Sequence, residues 1–478
     1  MKSSDTPAMP TSAVPRRAFL RGLIAAATGG ALLTRLPLFG QTNPGQLSRE
    51  ELSILLHKLL VTRDPALYDF AIEAYASCVV GKLRPPTPPL THSWIVPGGD
   101  YYAQWLWDTM FVVDLLAVLP GQSEIIRGVF QNYWDFQARW AAVKPATQRG
   151  MIANFIAPFD GRSGRPGREW RTLPAYSQAP LLAWGMERVY LRNGDRELLR
   201  AGLTPLERFH EWYWRERDVT GIGLVGVGCY SGDAQHARYE TYDREVDLDD
   251  LRMTPHPGRR PGSENGPWYG DILIPANTSY LLSSELSLAR LATTMGDHAM
   301  AERRRARYAR SAAAMRRHMW SEKHGCFLAV QRDSLSQIAT PTVGGFMPLM
   351  AHVPTAAQAA RMAATLLQPA WSTPLPIPTV SRTSPEFSSS EFWRGDAWPA
   401  PNYQVSTGLA SYGHRDAAAR IADLSIANAL KAGISERYDS ITGEPLGVRG
   451  LGMSATALTM LFDGLPSRYE LRVRKSAR

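Results

Sequence analysis

Aromatic and charged side chains crowd together in EFWRGDAWPAPNY at 391–403, next to plain Ala/Leu-rich stretches. Indole rings offer flat apolar faces that pack on the C–H faces of sugars, while carboxylates, amides and guanidinium groups bond their hydroxyls. This mixture is typical of a pocket wall that binds carbohydrate. The candidate binding residues here are Trp393, Arg394, Gly395, Asp396 and Trp398.

Two other stretches carry the same mixture, GGDYYAQWLWDTMF at 98–111 and the segment 151–180. A single tryptophan is more often a core residue than a sugar contact, but repeated tryptophans beside amides and carboxylates favour binding. The candidate binding residues in these stretches are Gln104, Trp105, Trp107, Asp108, Asn154, Phe155 and Gln178.

Glycoside hydrolysis needs two carboxyl groups, one protonated to release the leaving oxygen and one ionised to act as nucleophile or activate water. Glu436, between Ser435 and Arg437, is one candidate. The alternative for Glu436 is a surface glutamate that pairs with Arg437. The second carboxyl is expected in the acidic stretch 226–250, which contains Asp233, Glu240 and Asp243.

Helical hairpins recur along the chain, separated by long connections rich in Gly, Pro and Trp. Helical spacing of apolar residues is found at 52–78, 176–192, 196–217, 277–295, 298–320, 343–351, 355–367, 403–412 and 415–431. Strand signals are scarce, so the repeats predict an all-α toroid with a pocket at one end, the alternative being an ordinary helical bundle. Pro399 and Pro401 are expected to stiffen the loop before a helix that starts near Asn402.

The charge and the cysteines exclude some classes of function. The formal net charge is +9, and much of it lies in AERRRARYARSAAAMRR at 301–317, which is expected to be a solvated helix face. No aromatic-interleaved basic motif accompanies it, so nucleic acid is not expected as a partner. The cysteines, Cys78, Cys229 and Cys326, lack C-x-x-C spacing, and no H-E-x-x-H occurs, so the sequence predicts no zinc site.

The N-terminus has the pattern of a twin-arginine export signal. Arg16 and Arg17 precede a Gly-rich apolar run that is a poor membrane span, followed by a polar break near Gln41. We therefore expect a periplasmic or secreted protein with no stable membrane span after processing. An uncleaved anchor helix is the alternative.

Several segments, taken together, resemble the clan of (α/α)6-toroid glycosidases around glycoside hydrolase family 63, which includes mannosylglycerate-hydrolase-like and trehalase-like bacterial enzymes. The segments are QWLWDTMF at 104–111, RGMIANF at 149–155, SQAPLLAWGMERVYLRNGDRELL at 177–199, EFWRGDAWPAPNY at 391–403 and ERYDSITGEPLG at 436–447. The resemblance implies an (α/α)6 barrel, a carbohydrate substrate, and an inverting mechanism without metal or organic cofactor. The expected organisation is an export signal at 1–40, a helical segment with a Pro-rich linker at 41–90, and a catalytic domain at 91–470.

The resemblance also implies residue roles. Glu436 aligns without a gap with the general base of the family segment E-Y-Y-N-P-x-T-G. The general acid belongs to E-S-G-x-D-N-S-P-R, where Arg238 keeps the spacing but Ala234 occupies the acid's column and Tyr230 replaces the glutamate. Asp233, one residue earlier, is our first choice for the acid.

Three carboxylates rival Asp233 as the acid: Glu240, Asp243 and Asp396. Asp396 stands where the family usually has proline, and its carboxylate is suited to bonding a hydroxyl, binding a cationic group or donating the proton.

The sequence therefore predicts an exported inverting glycoside hydrolase for an α-linked gluco- or manno-configured oligosaccharide or glycoside. The sugar, the linkage and the oligomeric state are left unassigned. One alternative is a carbohydrate-binding protein that has lost catalysis. The other is a polysaccharide lyase on a similar toroid, for which Tyr239, Tyr242, His236 and Arg238 are the relevant residues.

Overall fold

The computed structural model of the chain describes residues 47–99, 101–143, 149–158, 177–218, 220–226, 272–385 and 387–474. Its α-helices are α1 Arg49–Leu59, α2 Pro65–Ala74, α3 Leu106–Leu116, α4 Ser123–Val143, α5 Leu182–Asn193, α6 Arg196–Arg217, α7 Pro275–Met295, α8 His298–His318, α9 Ala356–Leu366, α10 Pro399–Ser411, α11 Arg415–Ala432 and α12 Thr456–Phe462. A π-helix spans Tyr75–Val79, and 3₁₀ helices span Val80–Lys82, Val343–Leu349 and Gly452–Ala455.

The strands are short and pair two by two. They are β1 Leu60–Val61, β2 Leu83–Arg84, β3 Trp94–Ile95, β4 Gln104–Trp105, β5 Phe155–Ile156, β6 Ile272–Leu273, β7 Trp320–Ser321, β8 Cys326–Phe327, β9 Val330–Gln331, β10 Ser435–Tyr438, β11 Pro445–Arg449 and β12 Arg472–Val473. The antiparallel pairs are β1–β12, β2–β3, β4–β5, β6–β9, β7–β8 and β10–β11.

An inner ring of helical segments closes on itself. Going round the ring, α3 contacts α5, α5 contacts α7, α7 contacts Val343–Leu349, and that segment contacts α10. Helix α10 contacts α12, and Gly452–Ala455, which leads into α12, returns to α3. An outer helix precedes each inner segment in the chain, in the order α2 with its π-helix, α4, α6, α8, α9 and α11. The predicted (α/α)6 barrel is confirmed.

Burial differs between the two rings as their positions require. Every residue of the inner helix α3 is buried, as expected of a helix that is surrounded on all sides. The outer helix α6 is amphipathic, and the side chain of its N-cap Asp195 accepts hydrogen bonds from the backbone N–H groups of Glu197 and Leu198.

The outer ring begins earlier in the chain than the predicted catalytic domain. The π-helix Tyr75–Val79, which continues α2, packs against α3 and against Gly452–Ala455. Strand β1 pairs with β12 near the other end of the described chain. Part of the predicted segment 41–90 therefore packs as an element of the toroid, and the predicted export signal lies outside the described residues.

Several predicted helical runs differ from the observed helices. The run 52–78 is interrupted at β1, the run 176–192 becomes helical only at Leu182, and the run 298–320 ends at His318. Helix α10 begins at Pro399 rather than near Asn402. Proline suits the first helical turn because its fixed φ is helical and its missing N–H has no partner to lose there.

The basic helix α8 is only partly a solvated face. Arg304 is buried and pairs with Glu211 on α6 and, at 3.5 Å, with Glu285 on α7. Arg303 pairs with Glu207 on α6 at 2.8 Å. Part of the positive charge that was predicted to face solvent therefore forms ion pairs, between outer helices and between the outer and inner rings. In the part of the chain that the structure describes, no helix is long and apolar enough to cross a membrane.

Candidate active site

The predicted binding segments lie in the connections that lead from an outer helix to an inner segment. Gln104 precedes α3, Gln178 precedes α5, Trp393 precedes α10, and Glu436 precedes Gly452–Ala455 and α12. Because each hairpin reverses the chain, the inner helices run in the same direction and their N-terminal ends meet at one end of the ring. The fold gathers these segments at that end.

Glu436 lies on β10 and is 5% exposed. Its Oε1 accepts a hydrogen bond from the Tyr101 hydroxyl at 3.1 Å, and its Oε2 accepts one from the Val448 backbone N–H at 2.9 Å. The proposed alternative, a surface ion pair with Arg437, is wrong, because the Arg437 guanidinium bonds Asp396 instead. Each carboxylate oxygen of Glu436 keeps lone-pair capacity for a further donor such as water.

A β-bulge brings the Val448 N–H to this carboxylate. The register pairs Ser435 with Arg449 and Arg437 with Leu446, so Gly447 and Val448 both lie opposite Glu436. Gly447 has φ +70°, the left-handed conformation that glycine adopts at the first position of such a bulge. A Cβ at Gly447 would overlap Oε2 of Glu436 and lie 2.9 Å from its Cδ. The glycine therefore leaves room for the carboxylate as well as turning the strand.

Tyr101, Trp105 and Phe155 form a small aromatic cluster, separate from the main core, beside Glu436. The Trp105 ring lies 5.6 Å from Tyr101 and 4.9 Å from Phe155, centroid to centroid. The β4–β5 pairing sets Trp105 opposite Phe155. Since Tyr101 also bonds Glu436, aromatic surface and carboxylate adjoin, as in a site that holds a sugar ring.

Gln104 and Asn154 bury amide atoms that have no hydrogen-bond partner within the described ranges. Gln104 Nε2 donates to the Val129 carbonyl at 3.0 Å, but its Oε1 has no partner, and neither does either amide atom of Asn154. Leaving such a group unsatisfied costs about 1–3 kcal/mol. These atoms, next to the aromatic cluster on β4 and β5, are therefore suited to bond a ligand or water.

Trp107 and Gln178 belong to the buried framework of the site. The Trp107 ring is fully enclosed and lies edge-on to Tyr280, 5.8 Å away. The backbone N–H of Trp107 donates to Gln178 Oε1 at 3.0 Å, and the backbone carbonyl of Gln178 accepts from the Tyr213 hydroxyl at 2.5 Å. Asp108 is also buried, on the first turn of α3. Contact of these residues with a substrate stays a prediction.

Trp393 and Trp398 stack on each other, with ring centroids 4.1 Å apart and planes 8° apart. They are 3% and 2% exposed. Trp393 has φ +57°, a conformation that costs a non-glycine residue about 1–3 kcal/mol. Each ring already covers one face of the other, so the pair offers less sugar-stacking surface than two separate rings. Arg394 faces Glu391 at 3.4 Å.

Asp396 is fully buried and accepts three side-chain hydrogen bonds. Its Oδ1 accepts from the Thr379 hydroxyl at 2.8 Å, while its Oδ2 accepts from Trp398 Nε1 at 2.9 Å and Arg437 Nη1 at 3.1 Å. Burial raises the pKa of Asp396 to about 6, although Thr379 and Arg437 act in the opposite direction.

The remaining predicted residues, Asp233, Arg238, Glu240 and Asp243, lie outside the described residues. Within the described ranges, no group of three or more His, Cys, Asp or Glu side chains has the arrangement of a metal site.

Sequence reasoning missed four contributors to the site. Tyr101 is one of two adjacent tyrosines in DYYAQW, and nothing in the pattern distinguishes them. Gly447 and Val448 come shortly after the ERYDSITG motif. In that stretch Gly447, the last residue of EPLG, was the available signal of a bulge. The partnership of Arg437 with Asp396 joins residues 41 positions apart and carries no local signal.

Comparison with known proteins decides the family. The family model described as "Mannosylglycerate hydrolase MGH1-like glycoside hydrolase domain" matches residues 101–454. The chain belongs to this glycoside hydrolase family. The matched range contains both Tyr101 and Glu436.

Curated relatives agree with this assignment. A mannosylglycerate hydrolase from Rubrobacter radiotolerans is 31% identical over 401 residues, 73% of this chain and 88% of the relative. One from Thermus thermophilus is 25% identical, over 75% of this chain and 93% of the relative. A periplasmic trehalase from Salmonella paratyphi C is 24% identical, over 70% of this chain and 59% of the relative.

Solved structures share the fold of this glycoside hydrolase. A GH63 mannosylglycerate hydrolase from Thermus thermophilus, in complex with Tris and D-glycerate, superposes with a TM-score of 0.65 at 21% identity, covering 82% of this chain and 98% of that one. A neutral trehalase from Saccharomyces cerevisiae gives 0.55 at 17% identity, covering 79% and 76%. The family assignment favours hydrolysis over the lyase alternative.

Proposed function

We propose that this glycoside hydrolase is an exported inverting enzyme in which Glu436 activates water to attack the anomeric carbon of an α-linked gluco- or manno-configured glycoside. One observation carries the proposal: Glu436 is a buried carboxylate oriented by Tyr101 and Val448 and bordered by the aromatic cluster. A fixed carboxylate beside an apolar wall is what a general base for a bound sugar requires.

The proposed reaction is a single displacement. Water attacks the anomeric carbon as its proton passes to Glu436, while the bond to the leaving oxygen breaks. The leaving oxygen takes a proton from Asp233, our first choice for the acid, and solvent returns the protons to their starting positions. In an inverting pair the two carboxyl groups lie about 6.5–9.5 Å apart.

The substrate class rests on the relatives. Two of them are named for mannosylglycerate hydrolysis and one for trehalose hydrolysis. Mannosylglycerate, trehalose, α-mannosides and α-glucosides are therefore the compounds to test first.

Proton NMR of the first product tests both reaction and stereochemistry. We expect at least one α-linked compound of this panel to release the β-anomer before mutarotation. Release of the α-anomer would overturn the inverting mechanism. Binding of a panel sugar without any turnover would favour the carbohydrate-binding alternative.

The identity of the acid is tested by leaving-group dependence. Asp233→Asn should lower kcat on natural glycosides by about 100-fold or more and lower it far less on 2,4-dinitrophenyl glycosides, whose leaving group needs no proton. The same behaviour in Glu240→Gln, Asp243→Asn or Asp396→Asn, with Asp233→Asn active, would transfer the role.

Export rests on the N-terminal pattern. Fractionation of cells that express the full chain should recover a shortened protein outside the cytoplasm. Replacing Arg16 and Arg17 with lysine should retain the precursor inside. Equal export of both forms would contradict a twin-arginine route.

A further inference from the structure

Asp396 and Arg437 join the segment before α10 to strand β10 on the face opposite Glu436. Consecutive residues of a strand project to opposite faces, and the bulge lies in β11, so the alternation of β10 is preserved. Glu436 therefore projects towards Tyr101, and Arg437 projects the other way, towards Asp396.

The guanidinium group of Arg437 is held on several sides. Its Nη1 donates to Asp396 Oδ2 at 3.1 Å and to the Ser390 carbonyl at 2.8 Å. Its Cζ lies 5.3 Å from the ring centroid of Phe392, and its side chain is 16% exposed. Such contacts fix the residue next to Glu436.

The backbone joins the same two segments. Ala397 and Tyr438 exchange a pair of hydrogen bonds at 2.8 and 2.9 Å. Thr379 extends the attachment, because its N–H donates to the Asp396 carbonyl at 2.9 Å while its hydroxyl bonds the Asp396 carboxylate. Asp396 and its neighbours thus contribute to the position of β10, together with the pairing to β11.

Asp396 itself is not exposed to a substrate. Its side chain is completely buried, and Thr379, Trp398 and Arg437 take up its oxygens. Asp396 and Arg437 are in direct contact.

We propose that Asp396 is a positioning residue that acts through Arg437 to hold Glu436 in its reactive place. The inference rests on the proposed function, in which Glu436 is the base. In this role Asp396 neither bonds a substrate hydroxyl nor donates the proton.

Asparagine at position 396 keeps the shape of the side chain and removes the charge that faces Arg437. It offers one acceptor oxygen in place of two, and its amide N–H2 would face the donors of Trp398 or Arg437. The backbone hydrogen bonds between Ala397 and Tyr438 do not depend on this side chain. Asp396→Asn therefore removes the partner of Arg437 and leaves the backbone connection in place.

The test compares Asp396→Asn, Arg437→Met and the double variant in the full-length enzyme. We expect kcat to fall by about 10- to 100-fold in each single variant, since a displaced catalytic group costs this much. KM should stay within about twofold, because uniform substrate binding is kept. The double variant should be no worse than the singles. The melting temperature of Asp396→Asn should fall, because Arg437 loses its buried partner, so kcat is measured well below that temperature, where the variant is folded. Asp333→Asn, which removes the charge of an exposed aspartate paired with Arg332 at 2.9 Å, is the matched control.

Two readouts separate the alternatives. Positioning predicts the same fold loss on natural and 2,4-dinitrophenyl glycosides, whereas a general acid predicts recovery on the latter. Unchanged kcat in Asp396→Asn, with a lowered melting temperature, would reduce the pair to a structural contact and overturn the proposal. If Glu436→Gln keeps full activity, the proposed function fails; if only Asp396→Asn keeps it, the inference alone fails.

Discussion

Neutral hydrogen bonds fix the carboxylate of Glu436, one from the hydroxyl of Tyr101 and one from the backbone of Val448. The second bond depends on the bulge at Gly447, because only there does the backbone N–H of β11 turn towards the carboxylate. At this scale a single methyl group is enough to disturb the proposed base.

Gly447→Ala should therefore harm activity more than stability. The new Cβ overlaps Oε2 of Glu436, so we expect kcat to fall by about 100-fold. We also expect the free energy of unfolding to fall by about 1–2 kcal/mol, because alanine is strained in the left-handed conformation. Steady-state kinetics and chemical denaturation measure the two effects.

Gly450→Ala is the matched control for this change. Gly450 has a similar φ of +61°, but its added Cβ would meet no atom closer than 3.5 Å. It should lose similar stability and keep its kcat. Equal kinetic defects in both variants would refute the steric explanation.

At residue scale, the sequence identifies many of the residues of the site. It does not identify which of them contact one another. The motif around Glu436 is visible as a local pattern, and so are the candidate residues Trp105 and Phe155, each in its own segment. The choice of Tyr101 over Tyr102 and the pairing of Asp396 with Arg437 depend on how distant segments meet, which no local pattern encodes. The stacking of Trp393 on Trp398 and the left-handed backbone of Trp393 likewise have no signal in the sequence.

At the scale of elements, the N-cap residue of α6 also connects this helix to its neighbour α4. Asp195 caps α6 through hydrogen bonds of 3.1 Å from the N–H groups of Glu197 and Leu198, and it also pairs with Arg127 at 3.2 Å. One side chain thus ends the turn after α5, starts α6 and joins it to α4.

Asp195→Ala should lower the free energy of unfolding by about 1–2 kcal/mol and leave kcat unchanged, since the cap is remote from Glu436 in the fold. Urea denaturation checks this. Asp195→Asn keeps a good cap and removes the charge, so it should recover most of the loss. A full loss in the asparagine variant would assign the effect to the Arg127 pair instead.

Prediction of elements succeeded where a cap or turn marks the boundary. Helix α6 is predicted at 196–217 and observed at Arg196–Arg217, because the Asn-Gly-Asp turn ends one helix and caps the next. Prediction failed at α10, where Pro399 was read as part of a loop although proline suits a first turn. It also failed at 343–351, which forms a 3₁₀ helix over Val343–Leu349.

At the scale of the whole molecule, a buried charge cluster ties the inner ring together. Asp114 on α3 pairs with Arg188 and Arg192 on α5 at 2.9 and 3.0 Å. Both arginines also bond Asp463 after α12, which accepts from the Tyr403 hydroxyl of α10 at 2.9 Å. The cluster therefore spans the point where the ring closes.

This cluster predicts a pH-dependent contribution to stability. Burial opposes ionisation of Asp114, but Arg188 and Arg192 outweigh it and hold its pKa at about 2, below the ordinary value of 3.8. Because the folded-state pKa is depressed, the stabilisation is complete above about pH 4 and is lost as pH falls towards 2.

Asp114→Asn should lower the free energy of unfolding by about 3–5 kcal/mol at neutral pH, since it leaves two buried arginines with less compensation. The difference from wild type should shrink as pH falls from about 4 towards 2. Thermal unfolding across this range measures it. A constant difference down to pH 2 would show that charge is not the cause.

The toroid as a whole was predictable because hairpin repeats leave a periodic signature. The closure of the ring was not, since the Asp114 cluster joins residues that are hundreds of positions apart. The inclusion of the π-helix Tyr75–Val79 in the outer ring was also invisible, because the Pro-rich stretch after it suggested a linker.

The most direct test of the account compares Glu436→Gln with Glu444→Gln on the best substrate of the panel. Glu444 is an exposed glutamate on the same β10–β11 hairpin, so the control removes the same charge a few residues away. We predict that kcat falls by about 100- to 10,000-fold in Glu436→Gln, with retained folding and sugar binding, and stays at the wild-type value in Glu444→Gln. A Glu436→Gln enzyme with wild-type kcat would contradict the central claim that Glu436 activates the water.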